Sequence, residues 1–252
     1  MAAVLTLVLI RLHLSLIRVG SMDDALSEKR NFALKLDELV KRTEYRIISD
    51  ADGLELIYRL RYEANLREGT IAANSIEKLY DRFDESPNGM NIGVFVDGEM
   101  LAALRLHVLT PEQPVSPALD AYPDLIGPML ASGRRFIDTS RLAANFPRAR
   151  AFPQLPYVTL RLGIMAATYF DTDYITGGCR AEHFPFYERE YFAVRACEPR
   201  PYPTLLKPLC LVKIDFRKNR SAILARRPMY GSRPEEQARL FESKFQETAA
   251  VP

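Results

Sequence analysis

The twelve residues Arg134–Asn145, RRFIDTSRLAAN, place two charged side chains inside a strand-like segment. We predict a strand over residues 135–142 that contains Asp138 and Arg141. Charges inside a central strand are costly unless they are paired or used in chemistry. A regular strand would point these two to opposite faces. A β-bulge between them would bring both to one side and splay the neighbouring strands, so we predict that this strand is the floor of a cleft.

The segments around this strand predict a mixed, mostly antiparallel sheet. Two strand patterns, Asn91–Asp97 and Leu101–Leu109, flank Asp97-Gly98, a dipeptide typical of a tight hairpin turn. The apolar pattern of Tyr157–Phe170 predicts a helix that is buried on most sides. Further helices are predicted at 23–42, 53–66 (opened by a capping box of Asp52 and Glu55), 74–84, 181–189 and 234–246, and further strands at 45–48, 173–176, 191–196 and 209–216. This order predicts an α/β (α+β) fold with helices on both faces of the sheet.

Composition narrows the function class. The chain has 252 residues, of which 48% are hydrophobic and 26% charged, a composition typical of a globular protein. Its net charge of only +2 argues against a protein that binds nucleic acid by neutralising phosphates. We therefore expect no nucleic-acid partner. The three cysteines lack metal-ligand spacing, so we expect free thiols, no metal and a cytoplasmic location. Basic residues cluster late in the chain and fit either a docking surface for an acidic protein or a solvated face: Arg195, Arg200, Lys207, Lys213, Arg217, Lys218, Arg220, Arg226 and Arg227.

The chain divides into three predicted parts. Residues 1–22 are an apolar extension in which Arg11 and His13 interrupt a segment too short to span a membrane, and Met22 is an alternative start. Membrane contact is expected only through residues 1–20, as an interfacial helix. Residues 23–220 form a single domain, and residues 221–252 form a tail with a peripheral helix.

The absence of the common catalytic motifs, together with several charged residues, predicts a direct reaction without a covalent enzyme intermediate. The sequence has no GxSxG, P-loop, GxGxxG or HExxH motif and only three histidines. Asp81 and Asp84 would share a helix face and hold a cation, or lie on a solvated helix end. Arg105 shares a strand face with His107 and reaches either solvent or a polar cleft. The segment from Arg180 to Tyr187, RAEHFPFY, forms either a site wall or an ordinary helix start.

In this ordered set the chain resembles the long-chain N-acyl amino acid synthases (the N-acyl tyrosine synthase type), within the autoinducer-synthase-like branch of the GNAT acyltransferase superfamily. The resemblance covers about Tyr45 to Phe216 and rests on an early arginine, two aspartates three apart, a hairpin arginine and an acid-x-x-arginine strand: Arg61, Asp81 with Asp84, Arg105, and Asp138 with Arg141. It implies a GNAT-like sheet with a splayed V between two parallel strands. Two family features, an aromatic residue at the position of Asn65 and a tryptophan, are absent, which disfavours S-adenosylmethionine as the acceptor.

The resemblance implies an enzyme that moves a long-chain acyl group from the phosphopantetheine thioester of acyl carrier protein to the amine of an amino acid. Residues 142–154 contain no glycine, so the usual pyrophosphate loop is missing and coenzyme A is the less expected donor; no permanently bound cofactor is expected. The alternatives are an acyl-homoserine-lactone synthase that uses S-adenosylmethionine and a non-catalytic GNAT-like shell that binds an acyl chain or a partner.

The residue roles follow from the same resemblance. Asp138 is the expected base, and Arg141 and Arg105 hold the acceptor carboxylate or lock the two aspartates. Tyr187 either protonates the leaving thiolate or is an ordinary buried, hydrogen-bonded tyrosine. Backbone N–H groups beside the bulge would stabilise the oxyanion. Further substrate-binding residues are Arg61, Asp81, Asp84, Glu182 and His183, and the expected acyl-tunnel residues, equally good as core residues, are Phe95, Phe136, Val158 and Leu162.

Overall fold

The structure, a computed structural model, describes residues 22–249 of the chain. The predictions for the N-terminal extension and its membrane contact concern residues outside this range. The helices are α1 (Met22–Lys41), α2 (Ala51–Arg67), α3 (Pro117–Ala121), α4 (Pro123–Ala131), α5 (Phe146–Ala149), α6 (Leu155–Tyr169), α7 (Phe184–Tyr191), α8 (Phe216–Arg226) and α9 (Pro234–Ala249). The strands are β1 (Thr43–Ile47), β2 (Gly89–Val96), β3 (Glu99–Leu109), β4 (Phe136–Ala144), β5 (Tyr174–Cys179), β6 (Val194–Arg195) and β7 (Cys210–Asp215).

The strands form one sheet in the order β1-β2-β3-β4-β5-β7-β6. Neighbours are antiparallel except β4 and β5, which are parallel. This confirms the predicted mixed, mostly antiparallel sheet. The β2–β3 hairpin is also confirmed: Asp97 and Gly98 have φ of 51° and 84°, the two positive values that a type I′ turn requires.

Strand β4 contains the predicted bulge. Ala103 of β3 pairs with Ala143, but Arg105 pairs with Ser140, so Arg141 and Leu142 together face one residue of β3. Arg141 has φ of 55°, an uncommon backbone conformation for a side chain of this size. The parallel pairing of β4 with β5 covers only Phe136–Thr139 and Tyr174–Gly177, after which the strands separate into a V.

The two faces of the sheet are covered differently. The main core lies between one face and the almost wholly buried helix α6, and includes Leu104 and Leu106. The other face carries Arg105 and is covered by α2, α3 and α4. No helix among residues 22–249 is both long enough and apolar enough to cross a membrane.

Local capping explains two wrong predictions. Helix α2 begins after Asp50, whose side chain accepts a hydrogen bond from Gly53 N, so the predicted Asp52–Glu55 capping box does not form. The predicted helix 74–84 is also wrong: only Arg82–Glu85 form a 3₁₀ turn, and the residues before it are irregular. There Asp81 and Asp84 form a reciprocal capping box, since each side chain accepts a hydrogen bond from the backbone at the other end of the turn.

The C-terminal segment packs into the main core. Helix α8, which was not predicted from the sequence, follows β7 directly, with Asp215 as its N-cap. Tyr230 and Phe241 are fully buried in the same cluster as the sheet. Arg161 of α6 binds this segment by donating to the carbonyl oxygens of Met229 and Gly231 and to Glu236. The segment beyond residue 220 is therefore more than a surface appendage.

Candidate active site

Two cavities meet where β4 and β5 separate. One, of about 180 Å³, opens on the α2 side of the sheet, and the other, of about 80 Å³, lies on the α6 side. They share the lining residues Ser140, Arg141, Leu142, Gly178, Cys179 and Tyr187, so they join through the V. We refer to them as the polar cavity and the apolar cavity.

A close approach of the two backbones marks the apex of the V. At Gly177, the last paired residue of β5, a Cβ would lie 2.6 Å from Thr139 Oγ1 and 2.9 Å from the Thr139 carbonyl oxygen. Only glycine fits this approach without displacing the neighbouring strand. Beyond this point β4 and β5 no longer pair, and their exposed edges can bind the amides of an extended arm. The sequence prediction of a slot beside residues 135–142 matches this arrangement.

A buried network of charges lies beside the polar cavity. Arg61 donates to Asp84 at 2.7 Å, and Arg105 lies 2.9 Å from Asp84 Oδ1 and donates to Asp81 at 2.6 Å. Arg141 donates to Asp81 as well, and to Thr204 Oγ1 at 2.6 Å. The bulge therefore turns Arg141 toward the sheet face that carries Arg105. Because the three guanidinium groups outnumber the two carboxylates, the network keeps one positive charge in excess.

The network sets the charge states of its members. Burial raises the pKa of Asp81, but the hydrogen bonds and charges of Arg105 and Arg141 outweigh burial and hold that pKa well below its ordinary value. Burial lowers the pKa of Arg61 to about 10, which leaves it charged at neutral pH. Arg61 and Asp84 are almost completely enclosed, so their role is to support the structure around the site. Arg141, in contrast, lines both cavities.

Asp138 lies behind the slot. It is fully buried, accepts a hydrogen bond from Ala118 N at 2.9 Å, and lies 3.5 Å from Thr176 Oγ1. Burial raises the pKa of its carboxyl to about 6. Asp138 lines neither cavity, whereas its β5 neighbour Thr176 is among the residues that line the apolar one.

The segment after β5 forms one wall of the polar cavity. Tyr187 lines both cavities, and burial raises the pKa of its phenol above the ordinary value, so it keeps its proton. His183 lines the polar cavity and accepts a hydrogen bond from Arg180 at 2.9 Å; burial lowers the pKa of His183 to about 4. Glu182 is half exposed, pairs with Arg180, and does not line either cavity.

The structure places the four residues predicted for the acyl tunnel outside the joined cavities. Phe95 lies on β2 beneath the guanidinium of Arg46, and Phe136 stacks on Tyr174 in the smaller core. Val158 and Leu162 belong to the main core. Helix α6 instead lines the apolar cavity with Leu160, Gly163 and Ile164. Which side of this helix faces the V could not be predicted, because the helix is apolar all round.

Several lining residues carry no sequence motif. Glu68 follows the last residue of α2, and the segment between β6 and β7 contributes Tyr202, Leu205 and Leu209. This segment is fastened to the end of α2, because Leu206 N donates to Thr70 O at 2.8 Å and Lys207 Nζ donates to Glu68 O at 2.7 Å. A local sequence pattern cannot predict these two hydrogen bonds, because their partners are far apart in the chain.

Comparisons with known proteins agree with this geometry. The family model of the N-acyl amino acid synthase FeeM matches residues 56–215, well over half of the chain. Among solved structures, the chain is similar to FeeM, an N-acyl amino acid synthase from uncultured soil microbes, with a TM-score of 0.62 and 16% identity over 73% of this chain and 98% of that one. It is also similar to BjaI, a CoA-dependent acyl-homoserine lactone synthase, with a TM-score of 0.55 and 16% identity over 78% of this chain and 98% of that one.

The structure of the acyl-homoserine lactone synthase LasI is similar as well, with a TM-score of 0.52 and 15% identity over 68% of this chain and 89% of that one. At such identities these likenesses show the fold alone. A search of curated proteins found no match. From the family match over 56–215 and the shared GNAT-like architecture, we conclude that the chain belongs to the FeeM family of N-acyl amino acid synthases and is an acyltransferase.

Proposed function

We propose that the protein transfers a long-chain acyl group from the phosphopantetheine thioester of acyl carrier protein to the amine of an amino acid. The observation that carries this proposal is the V between β4 and β5, which joins a polar cavity to an apolar one and has Arg141 and Tyr187 at the junction. The acyl chain enters the apolar cavity, the thioester lies in the V, and the acceptor enters from the polar cavity.

Two features support a carrier protein rather than coenzyme A. The segment after β4 has no glycine and forms the short helix α5 with Pro147, so it offers no glycine loop for a pyrophosphate. Helix α8 exposes Lys218, Arg220 and Arg226, a basic surface suited to an acidic partner. Arg200, Arg217 and Arg227 of the same late cluster are already in ion pairs.

The reaction follows from the position of each group. Arg141 holds the acceptor carboxylate, because it lines the cavity and the network keeps a surplus positive charge. The free amine attacks the thioester carbon, and unpaired backbone N–H groups of β4 stabilise the oxyanion. The nitrogen then loses a proton to Asp138 through the hydroxyl of Thr176. The C–S bond breaks, and Tyr187 protonates the leaving thiolate.

The test is turnover with a defined donor. Purified protein is given palmitoyl carrier protein or palmitoyl-coenzyme A and a panel of amino acids, and free thiol and product mass are measured. We expect thiol release with one or a few amino acids and a lower KM for the carrier protein, rising with salt. No turnover across the panel with either donor overturns the proposal. Methylthioadenosine release with S-adenosylmethionine identifies a lactone synthase instead, and copurified lipid without turnover identifies a non-catalytic shell.

Arg141 provides the matched variant. Because Arg105 continues to hold Asp81, we expect Arg141→Ala to fold while kcat/KM for the amino acid falls by about 100-fold or more. Arg148→Ala is the control, since Arg148 is exposed and pairs with Glu99 at the surface. An Arg141→Ala protein that unfolds, or that retains full activity, contradicts the assigned role.

A further inference from the structure

One carboxylate side chain lies in the joined cavities without a role in the proposed reaction. Among the described residues that line either cavity, Glu68 is the sole aspartate or glutamate. It lies in the polar cavity with Arg141, His183 and Tyr187. An amino acid enters as an ammonium ion that must lose a proton before it can attack, so a carboxylate at this place has chemical significance.

Glu68 is held in place from several directions. Its backbone N–H donates to Ala64 O at the end of α2, and Gly69, with φ of 62°, turns the chain away from the helix. Its carbonyl oxygen accepts the Lys207 ammonium at 2.7 Å. Arg180 donates to Oε2 of its side chain at 3.2 Å. The side chain stays 20% exposed in the cavity, so the anchored carboxylate can still be reached by an acceptor.

The charges around Glu68 match an amino acid. Arg67, Arg141 and Arg180 line the same cavity, so one carboxylate lies among three guanidinium groups. A zwitterion carries one ammonium and one carboxylate. The guanidinium of Arg141 suits the carboxylate, and Glu68 is the one lining side chain whose charge suits the ammonium.

The other acid and base groups nearby are unsuitable for the first proton. Both carboxylate oxygens of Asp81 are already bound by Arg105 and Arg141. His183 Nε2 accepts its hydrogen bond from Arg180, and burial lowers the pKa of His183 to about 4, so it binds a proton poorly. Asp138 lines neither cavity.

We propose that Glu68 binds the ammonium of the acceptor amino acid and removes its first proton. This inference rests on the proposed amine acylation. The proton passes from the ammonium to the carboxylate of Glu68 and then to solvent, which leaves the nitrogen lone pair free to form the C–N bond. The second proton leaves the nitrogen only after attack and goes to Asp138 through Thr176, while Tyr187 supplies the proton of the released thiol.

The first experiment compares Glu68→Gln with Glu63→Gln, a control on the preceding helix α2 whose side chain is exposed and outside the cavities. With the full chain and the amino acid that wild type accepts, we expect Glu68→Gln to lose about 100-fold in kcat/KM at pH 7, because general base catalysis is worth two to four orders of magnitude. The KM for the donor should stay unchanged. Activity of Glu68→Gln should recover as the pH rises toward that of the free amine, and Glu68→Asp should restore part of the loss.

The second experiment replaces the acceptor by hydroxylamine, whose nitrogen is unprotonated at pH 7. Hydroxamate formation by Glu68→Gln should remain within about threefold of wild type, because no proton must be removed before attack. An equal loss with hydroxylamine and with the amino acid, or a loss that does not depend on pH, shows a structural role and overturns the inference.

The two levels of the proposal fail differently. If wild type itself shows no turnover with any amino acid and donor, the proposed function fails. If wild type is active and Glu68→Gln matches Glu63→Gln at pH 7, the function stands and the role of Glu68 is rejected.

Discussion

At the scale of single residues, the site depends on charges that neutralise one another out of water. Arg61 and Asp84 are almost inaccessible and lie 2.7 Å apart, and Asn91 Oδ1 accepts a second hydrogen bond from Arg61 at the same distance. Removing one partner of such a pair leaves a buried charge with less compensation. Arg61 therefore stabilises the folded site and is too deeply buried to contact substrate directly.

Arg61→Met should destabilise the fold by about 3–5 kcal/mol, since Asp84 would lose one of the two guanidinium partners that it has among the described residues. Arg59→Met, on the same helix, removes an exposed pair with Glu55 and should cost less than about 1 kcal/mol. Urea unfolding of both variants measures the difference. Equal losses in the two variants would contradict the buried-network interpretation.

The buried carboxyl of Asp138 gives a pH prediction. Burial raises its pKa to about 6 in the folded protein, above the unfolded value of about 4. Its favourable contribution is therefore complete below pH 4 and is lost as the pH rises through 6. Relative to Asp138→Asn, wild type should lose stability on the order of 3 kcal/mol between pH 4 and pH 8. Urea midpoints across this range measure it, and parallel curves for the two proteins would refute it.

At the scale of elements, the slot results from a short parallel pairing and one inserted residue. β4 and β5 pair over four residues each and then diverge, and the bulge at Arg141 bends β4 at the same place. Helix α6 closes the apolar side, with Gly163 facing Thr139 and Ile175. The width of the apolar cavity therefore depends on the distance between one helix and the two splayed strands.

Gly163→Ala should narrow the apolar cavity without unfolding the protein. The added methyl would lie 3.4 Å from Thr139 Cγ2, a tight but tolerable contact, and alanine favours the helix by about 1 kcal/mol. We expect the ratio of kcat/KM values to shift toward shorter acyl chains, measured with a series of acyl donors.

Gly127→Ala in α4 is the control, because its Cβ would meet no atom within 4 Å and it does not line the cavities. It should gain helix stability and keep the wild-type chain-length profile. The same shift in both variants would mean that Gly163 does not shape the acyl site.

At the scale of the whole molecule, the chain after the sheet completes the core that supports the cleft. Phe241 contacts the rings of Tyr169 and Phe170 at the end of α6. Tyr230 accepts a hydrogen bond from Tyr191, which lines the apolar cavity. The helix that lines the acyl site is thus held from behind by the C-terminal segment.

Phe241→Ala should destabilise the fold by about 3–5 kcal/mol, because it empties a fully buried aromatic site. Leu34→Ala, which truncates an exposed side chain on α1, should cost less than about 1 kcal/mol. Thermal or urea unfolding compares the two. A small loss at Phe241 would show that the C-terminal helix folds independently of the core.

The sequence predicted most of the strands, the hairpin turn and the bulge because each leaves a local pattern: alternation, an Asp-Gly pair, and two charges that a regular strand would separate. It misplaced the helix at 74–84, since an acidic pair three residues apart fits both a helix face and the capping box that actually forms. It also named Val158 and Leu162 of α6 rather than the residues that line the apolar cavity, because a helix apolar on all sides does not reveal which side faces a cavity.

By itself, the sequence determined the GNAT-like order of elements and the set of charged residues, because backbone preferences and side-chain periodicity act over a few neighbouring positions. Only the tertiary structure decided which charges pair and which remain available. Arg141 meets Asp81 across 60 residues, and Arg180 meets Glu68 across 112. Such contacts depend on how the sheet and helices pack, and that packing places one carboxylate, Glu68, in the cleft while it encloses Asp138.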